Sequence, residues 1–403
     1  MSTTTSPAAR AAALKARVVD VVDRITPELL AASREIHANP ELGYEEHFAS
    51  ARLAGLLRDH GLDVEHPAYD LPTAFAARGG DPASDAPLLV VCCEYDALPG
   101  IGHGCGHNVI GTAGVGAGIA LASVAAEAGG RVLVLGTPAE ERNGGGKIRL
   151  LERGAFAGAA MAMMIHPEPG NVERAPYLAA DDLEVVFHGK AAHASSQPHK
   201  GVNALDALVL GYMSLATLRQ YLRPDEKVHG IITDGGQAEN IVPVRAAARF
   251  KVRAKTEERL EKLKVRVLAC FEGAATQTGA RLEATYHGGY SDGRWNHALA
   301  SAFRRNGEAL GRRFVEPELI PDNVAGSTDM GNVSKALPAI HPVIQMCPLG
   351  VAGHSEEMAQ WAASEKADAA VVDGAKALAM TGVDVWTDPD LLAAAWREFE
   401  GDR

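Results

Sequence analysis

Between Leu88 and Ile119 the chain reads LLVVCCEYDALPGIGHGCGHNVIGTAGVGAGI, and few folds accommodate such a run. Leu88–Val91 is a continuous apolar stretch with β-branched members, the pattern of a buried strand. A glycine-dense loop follows, and Glu94, Asp96, His103, Cys105 and His107 place five potential metal ligands within fourteen residues. From Val109 the pattern is helical, with Gly111, Gly114, Gly116 and Gly118 small enough for close packing. Donor side chains on a loop between a strand end and a helix occupy the place where open α/β sheets carry their sites. Cys105 and His107 offer one soft and one borderline donor, which suits Zn²⁺ and admits Mn²⁺ or Co²⁺. This stretch points first to a metallohydrolase.

Two later strands extend the argument. Arg131–Gly136 ends in Thr137-Pro-Ala-Glu140-Glu141, and Met161–Ile165 ends in His166-Pro167. Strand ends separated by helices are neighbours in a parallel sheet, so Glu94/Asp96, Glu140/Glu141 and His166 are expected to converge. Upstream, the pattern predicts a helix over Ala8–Ser33 interrupted at Pro27, and a second carrying Ala49, Leu53, Leu56 and Leu57. A strand is expected over Val64–Ala77.

The pattern changes near Asp181. Strands and helices then follow in the order β-α-β-β-α-β up to about His287, the ferredoxin-like split unit, large enough to fold as a separate small domain. Its sheet has one exposed face, suited to covering a site or pairing with its own copy. From about Asp292 the first domain resumes, with a turn at Gly326–Gly331, a strand over Pro338–Met346, a loop at Gly353–Glu357 and a final helix over Ser364–Met380. The expected organisation is an α/β catalytic domain with a mainly parallel sheet, residues 1–180 and 291–403, interrupted by an α+β insert at 181–290.

A chain of 403 residues accommodates about two domains. A net charge of −12 argues against nucleic acid or an anionic membrane as partner. Five unevenly spread cysteines fit a reducing compartment better than a disulfide framework. With no secretory h-region and no run of about 18 apolar residues, a cytoplasmic protein outside the membrane is expected.

Cys105, His107, Glu141, His166 and His354 form the expected ligand set. Five protein donors exceed the need of one tetrahedral ion with an open position, and two ions roughly 3.5–4 Å apart use them naturally. The Glu140-Glu141 pair suggests that one carboxylate binds metal while the other moves the proton of the attacking water. Taken singly, each residue has an ordinary structural explanation: Cys105 as a small core hydrophobe, a histidine as hydrogen-bonded framework, paired glutamates as solvated surface. His193, in Gly189-Lys-Ala-Ala-His-Ala-Ser195, sits on a small-residue loop able to approach another surface, and Asn240 lies between two insert strands.

Several pieces together resemble the aminoacylase/carnosinase/carboxypeptidase-G family of dinuclear metallopeptidases. They are Glu94–Asn108, Gly136–Glu141, Gly144–Ile148, Met164–Pro167, His188–Ser195, Gly201–Asp206, Asn240–Pro243 and Gly326–Ser334. They are most similar to its amidohydrolase branch, which includes p-aminobenzoyl-glutamate hydrolase and β-alanyl-lysine dipeptidase. The resemblance implies a zinc-peptidase-like catalytic domain, a lid that dimerises the chain, and two divalent ions per subunit, Zn²⁺ or Mn²⁺. It implies Glu140 as general base and Asp96 as the group orienting a ligand. It further implies that His193 serves the active site of the partner subunit, with Asn240 near the substrate and Gly326, Ser327 and Thr328 lining the pocket. One departure stands out: other branches carry His-x-Asp where this chain has Glu94-Tyr-Asp96.

The expected function is metal-dependent hydrolysis of a small amide, a β-alanyl-type dipeptide or an N-acyl or aminobenzoyl amino acid. The competing readings are a catalytically inert binding relative and a hydrolase using Cys105 as nucleophile.

Overall fold

The computed structural model describes residues 6–81, 85–142, 144–316, 319 and 325–401, and they divide into two compact units. The first comprises residues 1–175, 294–320 and 332–403; the second comprises 176–293 and 321–331.

In the first unit the main sheet has six strands in the order Asp63–Glu65, Phe75–Gly79, Arg131–Gly136, Leu88–Cys93, Ala159–Met163 and Ala339–Ile340. The last four pair in parallel and the first two pairings are antiparallel. Val64–Ala77 therefore folds back on itself instead of forming one strand. Tyr69 and Asp70 both take φ 53 between Pro67 and Pro72, which is turn chemistry.

The helix His107–Ala128 lies against the centre of this sheet. A Cβ at Gly111 would stand 2.6 Å from the Glu94 carbonyl oxygen, at Gly114 2.6 Å from Cys93 Sγ, and at Gly118 2.1 Å from Val134 Cγ2. Alanine at these positions collides with the strands, so the glycines set how closely the helix approaches. An 18-residue window of this helix has mean hydropathy 1.8, enough to cross a membrane, yet 83% of it is buried inside the protein. It is a core helix.

The N-terminal helix runs unbroken from Pro7 to Ala38, with Pro27 inside it. The stripe Leu14, Val18, Val22, Ile25, Leu29, Ala32 and Ile36 is buried throughout, and that burial outweighs the local cost of proline, about 3 kcal/mol.

The expected strand Pro338–Met346 is split in two, and the one expected over Met161–Ile165 is followed by a further short strand that the sequence pattern did not show. Ala159–Met163 gives way to His166–Glu168, and Ala339–Ile340 gives way to Val343–Gln345. The second pieces pair in parallel as a separate two-stranded sheet. Pro167 and Pro342 lack the N–H that a continuous ladder needs. His166 and His341 sit at the steps between sheets. The last long helix extends over Glu365–Thr387, and a further helix, Pro389–Gly401, follows. Proline at its first position and the Asp388 side chain, which accepts from the N–H groups of Asp390 and Leu391, mark its start.

The second unit has strands Ala179–His188, Lys227–Asp234, Arg245–Ala254 and Arg281–Tyr290 with helices Ala204–Leu218 and Glu257–Thr278. The sheet order is Arg281–Tyr290, Ala179–His188, Arg245–Ala254, Lys227–Asp234, all antiparallel, which is ferredoxin-like. Its core centres on Phe187, Phe250 and Phe271.

Candidate metal centre

Parallel strands deliver the site. Leu88–Cys93 leads into Glu94 and Asp96, and Arg131–Gly136 leads into Glu140 and Glu141. His107 is the first residue of the glycine-striped helix. Asp96 ties these segments together. His107 Nδ1 donates to Asp96 Oδ1 at 2.9 Å, and the Glu141 N–H donates to Asp96 Oδ2 at 2.9 Å. Desolvation works to raise the Asp96 pKa, but the charge and hydrogen bond of His107 and the Glu141 N–H outweigh it and lower it.

With its proton on Nδ1, His107 presents Nε2 as a lone pair, and that buried atom has no hydrogen-bond partner. Among the groups of donors gathered in the first unit are Cys105, His107 and His166; Cys105, Glu141 and His354; and His107, Glu140 and Glu141. Within each group the ligand atoms lie within 4.8 Å of one another. Cys105 belongs to two of them, with Sγ 3.5 Å from His166 Nε2.

Electrostatics fit a cation. Burial acts to neutralise His107, yet Cys105 and Asp96 hold its pKa well above the usual range, so these surroundings favour positive charge. Burial, reinforced by the charge on His107, lowers the His166 pKa to about 3 and keeps it neutral, as a ligand must be. Its Nδ1 lies 3.1 Å from the Pro167 carbonyl oxygen, to which it donates. A cysteine sulfur, imidazole nitrogens and a carboxylate gathered at one place are suitable donors for divalent metal. Desolvation pushes the Cys105 thiol well above its usual pKa, so the sulfur is not activated as a nucleophile and would be a thiolate only where a bound cation offsets that burial.

His354 enters from the loop after Cys347, with φ 57; its N–H donates to the Gly104 carbonyl and its Nε2 stands 3.2 Å from Glu141 Oε1. Glu140 is buried, and Ala139 before it takes φ 59. That turn is held by Glu46, whose carboxylate accepts from the Ala139 N–H at 2.7 Å and the Thr73 hydroxyl at 2.8 Å. Burial, with the charge on Asp96, raises the Glu46 pKa to about 7.

The structure thus brings together Cys105, His107, Glu140, Glu141, His166, His354 and Asp96 in the first unit. His193, Asn240 and Gly326–Thr328 belong to the second. There, the His193 segment pairs with 240–242: Ala194 N–H donates to the Asn240 carbonyl and Val242 N–H to the Ala192 carbonyl. His193 Nδ1 accepts from the Ser195 N–H at 3.3 Å, so in the neutral ring the proton sits on Nε2.

Sequence reasoning passed over Glu46, Lys147, Glu168 and His341. Lys147 is fully buried and ion-paired with Glu94, whose other oxygen lies 3.6 Å from His107 Nε2. His341 is buried edge-on between His166 and Trp295. The three consecutive glycines before Lys147 were the available signal for a buried turn.

Replacing Asp96 by asparagine is expected to lower metal affinity about 10–100-fold, read by competition with a chromophoric chelator. Unchanged affinity would show that these two hydrogen bonds do not set the His107 ring.

Residues 180–278 match the peptidase dimerisation domain family. The chain is 40% identical over 409 residues to the Xaa-Arg dipeptidase of Mus musculus, covering 98% of this chain and 94% of that protein. It is 28% identical to a p-aminobenzoyl-glutamate hydrolase component of Escherichia coli strain K12, covering 91% of this chain and 90% of that protein. A solved dinuclear metal-binding peptidase of the M20 family from Bacillus subtilis matches with a TM-score of 0.63 at 20% identity, over 87% of this chain and 98% of that one.

Proposed function

The chain belongs to the M20 peptidase family and hydrolyses amide bonds with metal ions, and from that premise we propose a dipeptide with a basic C-terminal residue as its substrate. The 40% identity to an Xaa-Arg dipeptidase over nearly the full length favours this over an aminobenzoyl or N-acyl amino acid. A β-alanyl or related N-terminal group fits the same reading.

One observation carries the mechanism: two three-donor groups share Cys105, and Glu140 lies buried beside them. Cys105, His107 and His166 would hold one divalent ion and Cys105, Glu141 and His354 a second. The thiol favours Zn²⁺ while the carboxylate and imidazoles also suit Mn²⁺. When bound, such ions polarise the scissile carbonyl and lower the pKa of water. Glu140 accepts the proton of the water as its oxygen attacks the carbonyl carbon, and returns it to the amine as the C–N bond breaks. His193, from the partner subunit, donates its Nε2–H to the oxyanion, with Asn240 and Gly326–Thr328 against the substrate.

A homodimer through the second unit is supported by apolar side chains exposed there. Edge strand Lys227–Asp234 leaves Ile231 and Ile232 exposed, and helix Ala204–Leu218 exposes Val209, Leu210 and Met213. We place the enzyme in the cytoplasm, where the Cys105 thiol stays reduced.

The test is amine release, by mass spectrometry, from β-alanyl dipeptides, ordinary dipeptides and N-acyl amino acids, with the protein loaded separately with Zn²⁺ or Mn²⁺. Cleavage of dipeptides with a C-terminal arginine or lysine, abolished by chelator, is expected. Preference for the acyl amino acids would overturn the substrate assignment, and chelator-resistant turnover would overturn the metal mechanism.

A further inference from the structure

Glu168 stands beside the metal centre without a task in the mechanism. It follows His166 by two residues on the short strand His166–Glu168, so both side chains leave the same face. That strand is fixed by parallel pairing with Val343–Gln345, and the Glu168 carbonyl accepts from the Met346 N–H at 2.9 Å. The carboxylate is therefore presented from a rigid element.

Two ordinary explanations fail. As a brace for the His166 ring it is redundant, because His166 Nδ1 already donates to the Pro167 carbonyl; Glu168 Oε1 is 3.7 Å from that nitrogen, beyond a hydrogen bond. As half of a structural ion pair it lacks the other half: among the described residues no lysine or arginine pairs with it. Its side chain is 38% exposed, so the carboxylate is partly withdrawn from water yet open to a ligand. Burial works against the charge of this carboxyl group, and a cation that arrives with the substrate is the partner that would offset it.

We propose that Glu168 is a specificity-determining residue that pairs with the guanidinium or ammonium side chain of a basic dipeptide. This rests on the dipeptide reading above and adds to it the group that reads the side chain. Glu168 takes no part in bond breaking; its pairing orients the substrate and selects arginine or lysine over neutral residues of the same length.

The test compares β-alanyl-lysine with β-alanyl-norleucine, which lacks only the ammonium, on wild type and Glu168→Gln, with metal content measured in both. Wild type is expected to prefer the lysine dipeptide by about tenfold or more in kcat/KM, the scale of one charge-assisted hydrogen bond. Glu168→Gln should lose that preference while its activity on β-alanyl-norleucine and its metal content stay within about twofold. Inhibition of the wild type by free L-lysine against L-norleucine gives a reading independent of the variant's folding, and the same preference is expected. An equal loss on both substrates in Glu168→Gln would overturn the assignment of Glu168 alone, whereas equal wild-type efficiency on both dipeptides or equal inhibition by both amino acids would remove the preference for a basic residue, and the Glu168 assignment with it. Absence of cleavage of either dipeptide by metal-loaded wild type would remove the dipeptide reading, and this assignment with it.

Discussion

Glu140→Gln is expected to stay folded and metal-loaded while kcat falls roughly a thousandfold. The amide keeps the size and much of the hydrogen bonding of the carboxylate but cannot take a proton from water. Glu140 stands outside both donor groups that contain Cys105, although it joins His107 and Glu141 in another. Most metal binding should therefore survive its replacement. The backbone ahead of it is pinned independently, through the Glu46 carboxylate on the Ala139 N–H. Elemental analysis together with steady-state kinetics separates the outcomes. Retained turnover would remove Glu140 as base, and loss of metal would make it a ligand.

The second large effect belongs to His193. Removing its ring in His193→Ala is expected to lower kcat about 10²–10³-fold, the usual scale for one donor to a developing oxyanion. Stability should change little, because the ring is exposed and its hydrogen bonds to Ser195 are local. Mixing His193→Ala with Glu140→Gln subunits distinguishes action across the dimer from action within one chain. If His193 serves the partner, each mixed dimer holds one complete site, and an equal mixture regains about a quarter of wild-type activity after exchange. Verified mixed dimers with no recovery would place His193 with its own subunit's site.

The legible parts of this chain were those written in local residue chemistry. Apolar runs put strand ends at Cys92, Gly136 and Ile165, within two residues of the observed Cys93, Gly136 and Met163, and the convergence of Glu94/Asp96, Glu140/Glu141 and His166 was expected from the neighbour rule for parallel strands. The helix Glu257–Thr278 is likewise bounded by local signals, with the Thr256 side chain capping its start and Gly279, φ 72, ending it. What escaped depended on distant partners. Pro27 looked like a break because its local cost is visible in sequence, whereas the burial of the stripe passing through it is not. The step from the Ala159–Met163 strand to His166–Glu168 needed knowledge of where Val343–Gln345 lies. Glu46 and Lys147 looked like ordinary charged residues. Only folding brings Glu46 against the Ala139 N–H and Lys147 against Glu94.

The glycine-striped helix also bears on how this protein can be made more robust. Filling helical glycines with alanine is a common route to thermostability, worth up to about 1 kcal/mol each where space allows. Along His107–Ala128 that route is closed at Gly111, Gly114 and Gly118, because each added methyl would push His107, at the head of the same rod, away from the residues it must meet. Gly55 and Gly273 lie in other helices with nothing within 4 Å of an added Cβ. Heat tolerance can be engineered there without disturbing the chemistry, while the central helix keeps its poor intrinsic propensity as a condition of activity.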